Sequence, residues 1–270
     1  MHRLNSVLSP QSSVLPIVMG ILNITPDSFS DAGVHFDHTK ALHAALQMEA
    51  DGAAIVDIGG ESTRPGSGGI SIEEEIGRVV PVIEEIRRRS GVTISIDTRK
   101  SAVARAALGA GANMINDVSG LQFDPEMRNI PDVPIIVMHM RGDPATMQQF
   151  TDYDDVVQDV ARELRQRIEG LDPERVLVDP GIGFAKTAEQ NLELLARCDE
   201  LASIAPLVIG ASRKSFIGKV TGRDAGPARL SGSLAAVAAA RRGGAAIVRV
   251  HDVRETVDFL KVLDAIEAQR

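Results

Sequence analysis

Polar side chains able to bind or catalyse recur at one kind of place in this chain, at the ends of short apolar runs. Asn23 follows the run 17–22, Asp57 lies near the end of 53–58, Asp97 and Thr98 follow 92–96, and Asn116 and Asp117 follow 113–115. Met138 and His139 close the run 134–138, and Asp179 follows 175–178. Ser212-Arg213-Lys214-Ser215 comes just after 206–209, and Arg249 and His251 stand at the end of 245–250. Each has a bland reading on its own. Asp97 suits a helix cap, Asn116 a turn, Arg213 and Lys214 a solvated pair, and His139 a histidine at the edge of the core. Arg249 and His251 differ, because a spacing of two along a strand sends both side chains to one side. Eight polar run ends together exceed what capping accounts for.

Their chemistry points to a ligand with two different parts. Arg64, Lys214, Arg249 and His251 can hold an anion, phosphate above all. Asp97, Asn116 and Asp179 can read the donors of a flat polar heterocycle. A carboxylate accepting from adjacent ring N–H and amino groups matches a guanine-like edge. Asn23, facing a diphosphate, can share a Mg²⁺ ion, which commonly takes few protein ligands and completes its shell with phosphate oxygens. The chain has no H-E-x-x-H, no Walker loop and no G-x-S-x-G elbow, which argues against covalent hydrolase chemistry.

The elements that must position these residues follow from hydrophobic pattern. The eight runs are continuously apolar and rich in β-branched residues, as buried parallel strands are. Helical patterns separate most of them. Ser71 with Glu74 and Thr187 with Gln190 have capping-box spacing. Apolar stripes run through Ile72, Ile76, Val79, Ile83 and Ile86, through Leu192 and Leu195, through Val156, Val160, Leu164 and Ile168, and through Val253, Val257, Leu260 and Leu263. Pro81 predicts a kink. Seven strand-to-strand steps averaging about 33 residues predict a single-domain (β/α)8 TIM barrel over residues 16–270, after an N-terminal extension over 1–15. The steps around Asn116 and Gly120 leave room for only a brief helix. A doubly wound open sheet is the alternative, but its Gly-rich first turn is replaced here by Asn23-Ile24-Thr25-Pro26.

Composition narrows the function further. The 270 residues are 44% hydrophobic and 24% charged, with net charge −8, which excludes a disordered chain and a chain-wide nucleic-acid footprint. Aromatics are 3% with no Trp, so base-stacking platforms are poorly supplied. One cysteine, Cys198, excludes an internal disulfide and suits a reducing compartment. The longest apolar run, 14–22, contains Pro16 and is far shorter than the roughly 20 residues of a spanning helix. With no signal-peptide core, a soluble cytoplasmic protein is expected, with no membrane and no nucleic-acid partner.

The strand ends read together resemble the dihydropteroate synthase family. The resemblance rests on Met19-Gly20-Ile21-Leu22-Asn23-Ile24-Thr25-Pro26-Asp27-Ser28-Phe29-Ser30-Asp31 and on Asp57-Ile58-Gly59-Gly60-Glu61-Ser62-Thr63-Arg64-Pro65-Gly66. Ser95-Ile96-Asp97-Thr98, Ile115-Asn116-Asp117, Asp179-Pro180-Gly181-Ile182-Gly183-Phe184-Ala185-Lys186, Ser212-Arg213-Lys214 and Arg249-Val250-His251-Asp252 follow in family order. Ala32 departs from the family's usual Gly. The resemblance implies a transferase of folate biosynthesis. It would condense 6-hydroxymethyl-7,8-dihydropterin diphosphate with p-aminobenzoate to 7,8-dihydropteroate and diphosphate, using Mg²⁺ and an SN1-like route. It further implies that Asp97, Asn116, Met138, Asp179, Gly183, Phe184 and Lys214 bind the pterin. Asn23, Arg64, Arg249 and His251 would bind diphosphate, with Asn23 as the protein's metal ligand. Phe29, Thr63, Pro65, Arg213, Lys214 and Ser215 would bind p-aminobenzoate, and Asp97, Lys214, Arg249 and His251 would carry the catalysis. A homodimer and sulfonamide sensitivity are implied by the same resemblance. Two alternatives are a methyltetrahydrofolate–corrinoid methyltransferase, which would not need the diphosphate clamp, and a catalytically silent homologue.

Overall fold

The eight apolar runs form eight parallel strands: β1 (Ile17–Asn23), β4 (Ile55–Gly59), β5 (Thr93–Asp97), β6 (Met114–Asp117), β7 (Ile135–Met138), β8 (Val176–Asp179), β9 (Val208–Ile209) and β10 (Ile247–Val250). This computed structural model describes residues 16–25, 30–31, 35–36, 38–62 and 69–269. Residues 1–15, expected to be an extension, lie outside them. The strand order β8-β7-β6-β5-β4-β1-β10-β9 runs once around a ring. A parallel bridge from Val178 to Leu207, with the Val178 N–H donating to Pro206 O at 3.1 Å, brings β8 to the start of β9. The result is a nearly closed (β/α)8 barrel and not an open doubly wound sheet. A separate two-stranded antiparallel pair consists of β2 (Ser30–Asp31) and β3 (His35–Phe36).

The continuous hydrophobicity of the strands has two causes. Alternate side chains point to opposite sides of the barrel wall. One set, including Val56, Ile58, Ile94, Ile96, Val137, Val178 and Val248, packs outward on the helices in the main core. The other set points inward, where Met19, Ile55, Met114, Ile136, Leu177, Val208 and Ile247 form a separate, fully buried plug. Seven strands contribute to that plug. The eighth, β5, has Thr93 in register with Ile55 and Ser95 in register with Asp57 and Met114. The inward set therefore turns polar two residues further along: Asp57, Ser95, Asn116, Asp179 and Arg249. The plug closes one end of the barrel, and the polar layer faces the other.

Helices α1 (His38–Ala50), α2 (Ile72–Arg89), α3 (Ser101–Ala110), α4 (Val156–Ile168), α5 (Ala188–Ala196), α6 (Cys198–Ala202), α7 (Ser215–Thr221), α8 (Leu230–Arg242) and α9 (Val253–Glu267) fill the connections. Between β6 and β7 there is only a 3₁₀ turn, Pro125–Asn129, as the short step required. The fully buried Val79, Ile83 and Ile86 pin α2 to the barrel, each contributing roughly 1.5–3 kcal/mol of burial. Pro81 sits inside α2, which remains one helix.

Three local expectations are corrected. Thr187 and Gln190 form the full reciprocal capping box at α5. At α2 only half of it forms: Ser71 Oγ accepts from the Glu74 N–H at 3.1 Å, but the Glu74 carboxylate is taken by Arg78 at 2.5 Å, one turn on. Ile72, expected on the apolar face, is 40% exposed because it is the first residue of α2, beyond the stretch that packs on the barrel. Leu192 is 43% exposed and lines a groove between α5, α7 and α8.

Candidate active site

The polar layer above the plug has a paired side. Arg249 on β10 forks between two carboxylates, with Nε 2.6 Å from Asp57 Oδ2 and Nη2 2.6 Å from Asp97 Oδ2. Asn116 Nδ2 donates to the same Asp57 oxygen at 2.9 Å. Asp57 is fully buried. Burial raises Asp97 to about 7, with Arg249 opposing and Asp57 reinforcing the rise. Burial also works against the charge on Arg249, yet Asp57 and Asp97 lift its pKa above the ordinary arginine value. Sequence reasoning gave Asp57 no role. Its one signal was a carboxylate inside an apolar run at the same parity as Ile55.

The other side is built on the loop after β8 and the turn after β9. Asp179, buried at the end of β8, accepts from the Gly181 N–H at 2.7 Å. Burial raises its pKa, with that hydrogen bond and the nearby Lys214 and Arg249 opposing. Lys214 Nζ lies 4.0 Å from the centroid of the Phe184 ring and makes no hydrogen bond among the described residues. Burial and the Arg249 charge bring its pKa down to about 8, against the pull of Asp179 and Asp97. Met138 is buried in a small cluster that Phe184 caps. Two glycines make this approach possible. Gly181 (φ 69°) would place a Cβ 1.9 Å from His139 O, and Gly183 (φ 86°) would place one 2.9 Å from Lys214 Cδ.

The remaining expected residues are dispersed around the rim. Asn23 ends β1 in register with Gly59, which is in register with Asp97. His251 Nδ1 lies 3.1 Å from Ser212 Oγ. Burial, with Arg213 and Arg249 adding to it, holds its pKa down to about 4. At neutral pH His251 therefore offers an anion an N–H donor. The Arg213 guanidinium turns to Asp252, with Nε 2.9 Å from Oδ2. Ser215 is exposed at the start of α7. Phe29, Thr63, Arg64 and Pro65, together with Ala32, lie outside the described residues. His139 is fully buried, as the core reading expected. Glu61, quoted in the second motif without a role, joins Lys100, Arg99 and the Ile70 N–H at the base of that segment.

Comparison with other proteins identifies the family. The family model for pterin binding enzymes matches residues 19–251. A curated relative, the dihydropteroate synthase of Synechocystis, is 47% identical over 258 residues, covering 92% of this chain and 89% of that protein. Among solved structures, Xanthomonas albilineans dihydropteroate synthase with 4-aminobenzoic acid aligns with a TM-score of 0.89 at 43% identity, covering 99% of this chain and 98% of that one. The same enzyme in complex with 7,8-dihydropteroate aligns with a TM-score of 0.85 at 42% identity, covering 95% of each chain. The chain belongs to the dihydropteroate synthase family of pterin-binding transferases.

Proposed function

We propose that the mouth of the barrel joins p-aminobenzoate to 6-hydroxymethyl-7,8-dihydropterin diphosphate by a dissociative, SN1-like route. Asp179 and Asn116 read the donors of the pterin, Met138, Gly183 and Phe184 bound its ring, and Lys214 supplies a donor beside it. The C–O bond to diphosphate breaks first, leaving a cation on the pterin methylene that spreads into the ring. Asp97 stabilises that charge. Arg249, His251 and Arg64 receive the departing diphosphate. The amine nitrogen of p-aminobenzoate, held among Phe29, Thr63, Pro65, Arg213, Lys214 and Ser215, then forms the C–N bond and loses a proton to water. An arylamine is neutral near pH 7, so no strong base is needed. This accounts for a site without a nucleophile–base pair among the described residues.

The donor set fits Mg²⁺ of a particular kind. Among the described residues no group of three or more His, Cys, Asp or Glu side chains could hold a metal. A neutral amide such as Asn23 suits an ion that completes its shell with diphosphate oxygens. When bound, the ion would neutralise charge on the leaving diphosphate.

The observation that carries this reading is the incompletely paired couple Asp179 and Lys214 in a barrel interior whose other charges bond to one another. The decisive test is diphosphate release measured with each substrate alone and with both. Release that requires both supports the synthase. No release with both substrates present, or methyl transfer from a methylated pterin, overturns it. A homodimer belongs to the same reading, supported by the apolar groove of α5, α7 and α8, where Val220 is 63% exposed. Sedimentation of Val220→Glu against the unsubstituted protein tests it. A cytoplasmic location is supported by the single cysteine, buried and unpaired.

A further inference from the structure

Lys186 is a buried cation that the route above does not use. It closes the segment 179–186 and is only 4% exposed. Its Nζ lies 3.0 Å from His139 Nδ1, 2.9 Å from Phe184 O and 3.2 Å from Gly181 O. Three acceptors surround one nitrogen. The carboxylate of Glu163 decides the protonation: its Oε2 lies 2.9 Å from His139 Nε2, which must carry the ring proton, so Nδ1 accepts and Lys186 must supply three donors as the ammonium. Burial lowers the Lys186 pKa to about 7, with Asp179 and Glu163 opposing the fall. Glu163 is held in turn by Arg141, whose Nε is 3.0 Å from Oε1. A neutral imidazole thus links a buried cation to a carboxylate on α4. Burial, reinforced by the Lys186 charge, keeps the His139 pKa down at about 3, in agreement with a ring that bridges and does not titrate.

The two carbonyls that Lys186 grips belong to the loop leaving β8. That loop passes through the left-handed region at Gly181, Gly183 and Ala185, with φ of 69°, 86° and 52°. Ala185 pays a steric cost there, and such a conformation persists only when its surroundings hold it. Tyr153 donates to Ala185 O at 3.1 Å, and Asn191 Oδ1 accepts from the Gly183 N–H at 2.6 Å. Gly181 O accepts from the Phe184 N–H at 3.0 Å, and Lys186 adds a second donor to that oxygen while also holding Phe184 O. Those same residues present the Gly181 N–H to Asp179 and the Phe184 ring to Lys214.

We propose that Lys186 is a positioning residue for the pterin half of the site, oriented by His139 and Glu163, and that it acts by holding the Gly181–Phe184 loop in its left-handed path. The proposal rests on the assignment of the pterin to Asp179, Phe184 and Lys214. The charged groups facing Lys186 come from three directions: Asp179 from β8, Glu163 and Arg167 from α4, and Arg141 from the segment after β7. None of them replaces the grip on the two carbonyls.

The test uses full-length protein carrying Lys186→Met, Glu163→Gln or both, with KM for each substrate and calorimetric Kd for a pterin analogue. Lys186→Met is expected to raise the pterin KM and Kd by about tenfold or more, while the KM for p-aminobenzoate moves less. Glu163→Gln should shift the same values in the same direction by a smaller factor. The double variant should add little to Lys186→Met alone, since both act through one chain of contacts. General damage to the fold would not separate the two substrates. Unchanged pterin affinity in a folded Lys186→Met, an equal rise for both substrates, or full additivity overturns the proposal. Should Lys186→Met fail to fold, Glu163→Gln decides, and unchanged pterin affinity in it is the overturning result. Asp179→Ala serves as the control on the underlying assignment. If it too leaves pterin affinity unchanged, the pterin lies elsewhere. If it weakens binding while Lys186→Met does not, the positioning role alone fails.

Discussion

At the mouth of the barrel, the side formed by β4, β5, β6 and β10 carries Asp57, Asp97, Asn116 and Arg249, and these groups bond to one another. The side formed by the ends of β8 and β9 carries Asp179 and Lys214. Asp179 has a backbone N–H on one oxygen, and Lys214 has an aromatic face and no hydrogen bond among the described residues. Both sides lie over the same apolar plug, and burial acts on both. The difference is in who supplies the partner. A buried polar group satisfied within the protein contributes to the scaffold, whereas one left short of partners is prepared for a ligand. The comparison predicts that substitutions on the paired side register first as lost stability, and those on the open side as lost affinity.

The largest effect is expected for Arg249→Met. It leaves Asp57 fully buried and Asp97 nearly so, without their counter-charge. Removing one partner of a buried pair costs about 3–5 kcal/mol, read from urea unfolding of the ligand-free protein. The loss should deepen as pH rises above about 7, where the unsubstituted protein has given up the Asp97 proton and the variant still holds it. Burial already raises Asp97 to about 7. Between the unfolded carboxylate pKa and that value the native state holds the extra proton, so stability falls as pH rises. Removing Arg249 carries the native pKa higher still. A loss below about 1 kcal/mol would erase the distinction between the two sides.

Asp179→Ala probes the open side. If Asp179 accepts paired donors from the pterin, those donors are left buried and unmatched, and binding of a pterin analogue weakens by roughly 2–4 kcal/mol. Stability of the free protein should hold or rise, because burial raises the pKa of Asp179 and so works against its ionised form in the native state. Calorimetric titration beside thermal melts separates the two quantities. Unchanged affinity in a folded variant sinks the assignment.

The same contrast explains what could be read without coordinates. The eight strands were legible because burial on both faces writes continuous apolar runs, and the rim was legible because polarity begins where the runs end. The partners were not. Nothing local tells Asp57 from Asp97: they share Arg249, and the Asn116 amide that bonds only Asp57 comes from 59 residues away. Lys186 looked like the tail of a motif because its three acceptors come from the strand before and the loop behind it. Spacing marked Ser71 and Glu74 as a box, but the stronger ion pair with Arg78 took the carboxylate. The type of His251 leaves its protonation open, and its burial beside two arginines decides it.

Lys214 offers a sharper view of the open side through proton linkage. Its pKa is lowered to about 8. Above that pH most native molecules carry the neutral amine. A ligand that supplies an acceptor favours the ammonium and raises the pKa back toward its ordinary value. Binding of a pterin analogue at pH 8.5 should therefore take up more than about half a proton per site. Titrations in buffers of different ionisation enthalpy measure this directly. Lys214→Met should abolish the uptake. Proton release, or no exchange in the unsubstituted protein, would mean that the ligand does not complete Lys214 and that its isolation has another cause.

The smallest effect tests where the two sides meet. Ser95, in register with Asp57, points into the polar layer, and Ser95 Oγ and Asp57 Oδ1 are both buried without a hydrogen-bond partner among the described residues. A hydroxyl that makes no bond contributes nothing to offset its desolvation, so its removal recovers part of that cost. Against this stands the small cavity left by one oxygen atom. The two terms oppose each other at similar size, and Ser95→Ala is expected to change stability by less than about 1 kcal/mol in either direction. Pterin affinity should not move, because Ser95 lies two residues before Asp97 on β5 and is not among the residues assigned to the pterin. A fall in affinity without a fall in stability would show that Ser95 Oγ is completed by the ligand. The boundary would then run through β5, and Asp57, so far counted as scaffold, would have one oxygen facing the substrate.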